Sequence, residues 1–122
     1  MIDITKYDEN NVFAKILRNE IPSKKVFEND FVYAFEDINP QAPIHILIIP
    51  KSKYCSFNDF SENAENNSIG DVIRSINKIV KLLKLENGYR IITNVGTNGC
   101  QEVPHLHFHL LSGKQIGRLV VT

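Results

Sequence analysis

Apolar positions along the chain recur with two different periods, and the switches between them mark out the elements. Val12, Phe13, Ile16 and Leu17 line one face of a short predicted helix, with Asn10 or Asn11 as its N-cap and Pro22 beyond its end. Two short runs suited to strands follow, 25–28 and 31–35, and Asn29-Asp30 between them predicts a tight hairpin turn. Residues 44–49 are apolar at every position except His45, the pattern of a central strand covered on both faces, which Pro50 should stop. Residues 51–67, dense in Asn and Ser, read as loop. From Ile69 the period lengthens. Ile69, Val72, Ile73, Ile76, Val80 and Leu83 fall on one helical face and Arg74, Lys78, Lys81 and Lys84 on the other, predicting a long helix closed by Asn87-Gly88. Residues 89–93 and 106–111 are the last predicted strands, with the glycine-punctuated loop Gly96-Thr97-Asn98-Gly99 between them. This order predicts an α+β domain: an antiparallel sheet with one short and one long helix segregated on one side.

Composition narrows the function classes. A chain of 122 residues, 43% hydrophobic and 23% charged, is expected to form a single domain over 1–122, with 1–10 and 117–122 as flexible or dimer-contacting tails. Fourteen Lys and Arg balance fourteen Asp and Glu, which excludes a broadly basic nucleic-acid binder and a polybasic membrane patch. No stretch approaches the roughly 20 apolar residues of a spanning helix. Residues 1–11 carry Asp3, Asp8 and Glu9 and read as neither signal nor transit peptide. Cys55 and Cys100 make no disulfide framework and no metal pair, so a cytoplasmic protein with reduced thiols is expected.

The chemistry concentrates in His105-Leu106-His107-Phe108-His109-Leu110-Leu111. On a strand the three imidazoles project from one face, about 7 Å apart, while Leu106, Phe108 and Leu110 enter the core. Such a row is hard to explain by packing, because a buried imidazole needs partners and neighbouring cations repel. Two functional readings stand. A His-x-His pair, with His45 as a third ligand, can hold zinc. Alternatively, one neutral imidazole is a nucleophile, its tautomer fixed by a bond to its other nitrogen, and its neighbours donate to an anionic phosphoryl centre. The preceding glycine loop, with Thr97 and Gln101 as further donors, favours an anionic substrate; a phosphate-binding loop of the Walker type is absent.

The same run resembles the signature of the histidine-triad (HIT) superfamily. The rest of the chain is similar to its Hint branch, the histidine-triad nucleotide-binding proteins, through Phe13-Ala14-Lys15-Ile16, Glu20-Ile21-Pro22, the segments 34–43 and 45–51, Asn94-Val95-Gly96, Gly99, Gln101 and Gly113-Lys114-Gln115. The resemblance implies a homodimer whose two sheets join, and a purine nucleoside monophosphate or phosphoramidate as ligand. It implies P–N bond hydrolysis, expected to need no cofactor and no metal, while the charge balance leads one to expect no membrane and no nucleic-acid partner. By position His107 resembles the nucleophile, His109 a phosphate contact, and His105 and His45 a supporting pair. Asp37 resembles the ribose-binding carboxylate, Phe13, Ile16, Phe35 and Ile38 the base pocket, and Asn94, Gly99, Gln101 and Glu102 the phosphate side.

The chain departs from the family twice. Asn10-Asn11-Val12-Phe13-Ala14 carries no cysteine where many members have a zinc-binding Cys-x-x-Cys, so that site should be missing. Glu102 stands where many have a hydroxyl that helps protonate the leaving amine. The intact third histidine argues against the nucleotidyltransferase branch, and the short chain with Gly113-Lys114-Gln115 against the dinucleoside polyphosphate branch. The competing expectation is a nucleotide-binding regulatory or scaffold protein with incidental catalysis.

Overall fold

The computed structural model describes residues 1–120; of the tail 117–122, positions 121 and 122 lie outside the described residues. Five strands form one antiparallel sheet: β1 (Lys25–Glu28), β2 (Val32–Glu36), β3 (Ile44–Pro50), β4 (Arg90–Ile92) and β5 (Phe108–Ser112), in the order β1-β2-β3-β5-β4. The apolar run of β3 takes the middle place, as its two-faced hydrophobicity requires. Pro50 does not precede the break; it is the last residue of the strand, opposite Val32.

The helices are α1 (Val12–Leu17), α2 (Phe57–Asn63) and α3 (Asn66–Leu82). Alternation along the strands divides the core. Ile46, Ile48, Phe108 and Leu110 join Phe60 of α2 and Val72, Ile76, Ile79 and Val80 of α3 in the larger cluster. On the opposite face Leu47, Ile49 and Phe35 pack with Phe13 and Ile16 of α1. One helix therefore lies across the sheet from the others, rather than all on one side, and this face also carries His45 and His109, since Leu47 pairs with His109.

Two helix boundaries depart from the expected ones. Residues 51–67 are not loop throughout. Ser56 caps α2 by accepting from the Asp59 N–H, and the Asp59 carboxylate accepts from the Cys55 N–H, so a cap of the Ser-x-x-Asp kind starts a helix where Asn and Ser suggested none. At its far end α3 stops at Leu82, before Asn87-Gly88. Lys84 takes φ +55, and the N–H of Leu85 reaches back to Val80 O while that of Lys84 reaches Lys81 O. This is the paired closure usually made with glycine, and the buried Leu85 holds it. Ile73 of the apolar stripe faces solvent instead of the core.

Candidate active site

β5 begins at Phe108, so His105 and His107 precede it and only His109 lies on the strand. Leu106, Phe108 and Leu110 nevertheless alternate into the core as an extended chain demands, with Leu106 anchored by its N–H to Tyr54 O. The three imidazoles do not form one displayed row. His105 turns inward and is wholly buried, whereas His107 and His109 meet edge to face with ring centres 5.2 Å apart.

The hydrogen bonds fix which nitrogen of each ring carries a proton. Pro50 O only accepts, so Nε2–H of His105 donates to it at 2.9 Å, and Nδ1 of His105 is a lone pair facing the Tyr7 hydroxyl at 2.6 Å. The carbonyl of His105 accepts from Nδ1–H of His107 at 2.7 Å. His107 Nε2 is left as a lone pair with no protein partner among the described residues. No buried polar side-chain atom there lacks a partner, so this nitrogen keeps solvent access. Thr93 Oγ1 donates to the carbonyl of His107 at 2.8 Å and holds the backbone beneath the ring.

A second relay has the opposite polarity. The backbone N–H of Gln41 donates to Nδ1 of His45 at 3.0 Å, so Nε2 of neutral His45 carries its proton. That proton points to Nδ1 of His109 at 2.9 Å, with Asp37 Oδ2 at 3.4 Å. His109 is then protonated on Nε2. The supporting residues thus serve separate partners: His105 orients His107, and His45 orients His109.

Burial sets the charge. Desolvation holds His105 and His109 down at about 4, and lowers His107 and His45 below the usual imidazole value, although Asp37 opposes this at His45 and His107. At neutral pH the array is uncharged.

The candidate pocket residues gather beside it. A cleft of about 720 Å³ is lined by Phe13, Ile16, Phe35 and Leu47 and also by Asp37 and His45. Phe13 joins cleft and triad, its ring edge-on to Phe35 at 5.8 Å and to His107 at 4.9 Å. Ile38 stands at the rim, 92% exposed. Asp37 serves two ends at once: Oδ1 accepts from the Asn39 N–H in a tight turn while Oδ2 faces His45.

On the other side the glycine loop is braced internally. Asn94 Nδ2 donates to Gly99 O, and the Gly96 N–H donates to Gln101 Oε1. The Gln101 amide spends its donors on Cys55 O and Val103 O, so this buried side chain builds the loop and holds no free N–H for a ligand. Gly99 is required sterically, because a Cβ there would sit 2.4 Å from Val95 O. Glu102 is exposed.

Asp37, His45 and His109 are also the one group of ligand-type side chains close enough to hold a metal ion among the described residues. Their nitrogens share a proton at 2.9 Å. Two nitrogens on a tetrahedral zinc stand about 3.3 Å apart, so an ion would have to displace that proton and open the pair.

Sequence reasoning missed Tyr7 and Thr93. Their sole trace is a lone aromatic in an acidic N-terminal stretch and a β-branched residue ending a strand.

A family model described as "HIT domain" matches residues 18–116. The chain is 49% identical over 115 residues to an uncharacterized 13.2 kDa HIT-like protein of Azospirillum brasilense, covering 93% of this chain and 94% of that one. It is 45% identical over 113 residues to the purine nucleoside phosphoramidase of Escherichia coli K12, covering 92% and 94%. Among solved structures it resembles a HIT family hydrolase from Clostridium thermocellum, with a TM-score of 0.83, 41% identity and coverage of 93% and 99%. No helix among the described residues is long and apolar enough to cross a membrane.

Proposed function

Because the chain belongs to the HIT domain family, we propose that it is a hydrolase of purine nucleoside 5′-phosphoramidates that works through a nucleotidyl intermediate on His107. The observation that carries this reading is the opposed polarity of two adjacent rings. His107 is locked with Nε2 as a lone pair, and His109 with Nε2 as an N–H. A phosphoryl group in front of them meets a nucleophile and a donor together.

In the first step the His107 Nε2 lone pair attacks the α-phosphorus, the P–N bond breaks, and the leaving nitrogen takes a proton from solvent and departs as the neutral amine. His109 Nε2–H stabilises charge on the phosphoryl oxygens. In the second step water attacks phosphorus and gives one proton back to solvent, the bond to His107 breaks, and a nucleoside monophosphate is released with His107 restored. Backbone N–H groups of the loop at 97–99 are further donors to the phosphate. The cleft has the size of a small-ligand site and apolar walls suited to a purine, and Asp37 in its lining is a carboxylate that can accept from ribose hydroxyls. No step requires a metal ion.

The test is a panel of adenosine and guanosine phosphoramidates against diadenosine polyphosphates, with and without chelator. Phosphoramidates are expected to turn over far faster, and the chelator to change nothing. His107→Gly is expected to lose at least about a thousandfold in kcat. Near-full activity in that variant, or tight monophosphate binding with negligible turnover of every phosphoramidate, overturns the reading.

A further inference from the structure

Of the residues whose hydrogen bonds fix His105 and His107, one lies outside the matched family segment. Tyr7 lies in the N-terminal stretch ahead of residue 18, where that match begins. Its hydroxyl sits 2.6 Å from Nδ1 of His105, and its ring packs edge-on to the imidazole with centres 5.5 Å apart. The stretch is moored at several points. Arg18 donates to Glu9 O at 2.9 Å, Lys53 pairs with the Glu9 carboxylate at 2.6 Å, and Asn11 Nδ2 donates to Asp8 O. Ile4 reaches the glycine loop, where a Cβ on Gly96 would lie 3.8 Å from its Cδ1.

We propose that Tyr7 is a positioning residue for hydrolysis at His107, and that the N-terminal stretch is a strap that seats its phenol on the buried triad. The inference rests on the reading of His107 as nucleophile. The direction of each bond follows from chemistry alone. Pro50 O can only accept, so Nε2 of His105 holds the hydrogen, Nδ1 holds a lone pair, and the Tyr7 hydroxyl must donate to it. The ring of His105 is thereby pinned at both nitrogens. Its own carbonyl, two bonds from the ring's anchor at Cα, is the acceptor that keeps the proton of His107 on Nδ1. Without the phenol, a wholly buried lone pair has no donor and the His105 ring is held at Nε2 alone; the peptide that carries its carbonyl keeps the Leu106 N–H bond to Tyr54 O, so what shifts is the ring and the Cα it hangs from, and with them the line of the carbonyl toward His107. The strap acts on the nucleophile through this one carbonyl and touches neither cleft nor phosphate loop with the phenol.

The experiment is Tyr7→Phe, which keeps the ring packing and removes only the donor. Steady-state kinetics on an adenosine phosphoramidate are read beside long-range ¹H–¹⁵N spectra of the histidine rings. Expected are a fall in kcat of about tenfold with KM little changed, and loss of the single Nδ1–H tautomer of His107. Unchanged kcat overturns the proposal. So does a fall in kcat that tracks thermal stability while the His107 tautomer stays fixed. Should the variant not fold, the wild-type spectrum decides: His105 protonated on Nδ1 overturns the proposal, and His105 protonated on Nε2 with a hydrogen-bonded Nδ1 upholds it. If the wild-type chain hydrolyses no phosphoramidate, the activity reading fails by itself, because the tautomers are read without substrate.

Discussion

His107 must be unprotonated to attack phosphorus, and burial lowers its pKa from the ordinary imidazole value of 6.5. The acid limb of kcat/KM is therefore expected below pH 6.5, with activity level from there through neutrality; an acid limb above pH 7 contradicts this. The stability of the fold follows the same groups. His105 sits at about 4 in the fold against 6.5 unfolded, because burial penalises its charge. Its folded pKa is depressed, so the unfolded chain binds the extra proton. Stability is complete above about pH 6.5 and falls as the pH drops toward 4, by on the order of 3 kcal/mol for this ring alone. Thermal unfolding between pH 7.5 and 4 checks it, and a flat profile contradicts it. The histidines were visible in sequence because three imidazoles spaced by two have no ordinary packing reason. Their partners were not. Tyr7 is 98 positions from His105, and Gln41 reaches His45 only by a backbone N–H that any residue type supplies. Gln101 was legible as a polar loop residue, but its commitment to Cys55 O, 46 positions away, turns an expected ligand contact into a brace.

Elements succeeded or failed according to whether their signal was periodic or local. The middle strand and the long amphipathic helix were legible in kind, though not in their ends, because burial runs unbroken along β3 and recurs at helical spacing along α3. α2 has only one buried residue, Phe60, and so no stripe to detect; its existence rests on the Ser56 cap. Ser56→Ala is accordingly expected to cost about 1 kcal/mol, seen as a lowered Tm, whereas the neighbouring exposed Asn58→Ala should cost far less. The histidine run reads as strand from Leu106, but pairing to β3 starts only at Phe108. The alternation survived because extended backbone alternates with or without a partner strand. The glycine loop gives the sharpest test at this scale. Gly99→Ala must push Val95 O away from a contact of 2.4 Å, breaking the register that Asn94 and Gln101 hold. A fall in kcat of at least about tenfold is expected, since a shift of about 1 Å in a positioning element suffices for that; full activity would show that the loop does not set the phosphate position.

For the whole molecule, the sheet has two edges of different character. β1 ends it with Lys25 and Glu28, charges that discourage pairing, whereas the β4 edge carries the exposed Tyr89, Ile91 and Val95. The expected homodimer with joined sheets should therefore form along β4. Sedimentation velocity is expected to give twice the chain mass, and Ile91→Lys to shift it toward the monomer; a wild-type monomer at working concentration contradicts the joined sheet. Composition leads one to expect a single domain over 1–122 but says nothing of the role of its first residues, since a tail judged by polarity looks free until Tyr7 and Glu9 are seen in place. On the proposed function both histidine relays serve a single event, a bond from His107 to phosphorus. Rapid quench of the protein during turnover of an adenosine phosphoramidate, followed by intact mass and peptide mapping, tests that bond most directly. The account predicts one nucleotidyl group per chain, on His107, absent from His107→Gly and formed at least as fast as turnover. A nucleotidyl group on His109, or turnover with no covalent species on any histidine, would contradict it.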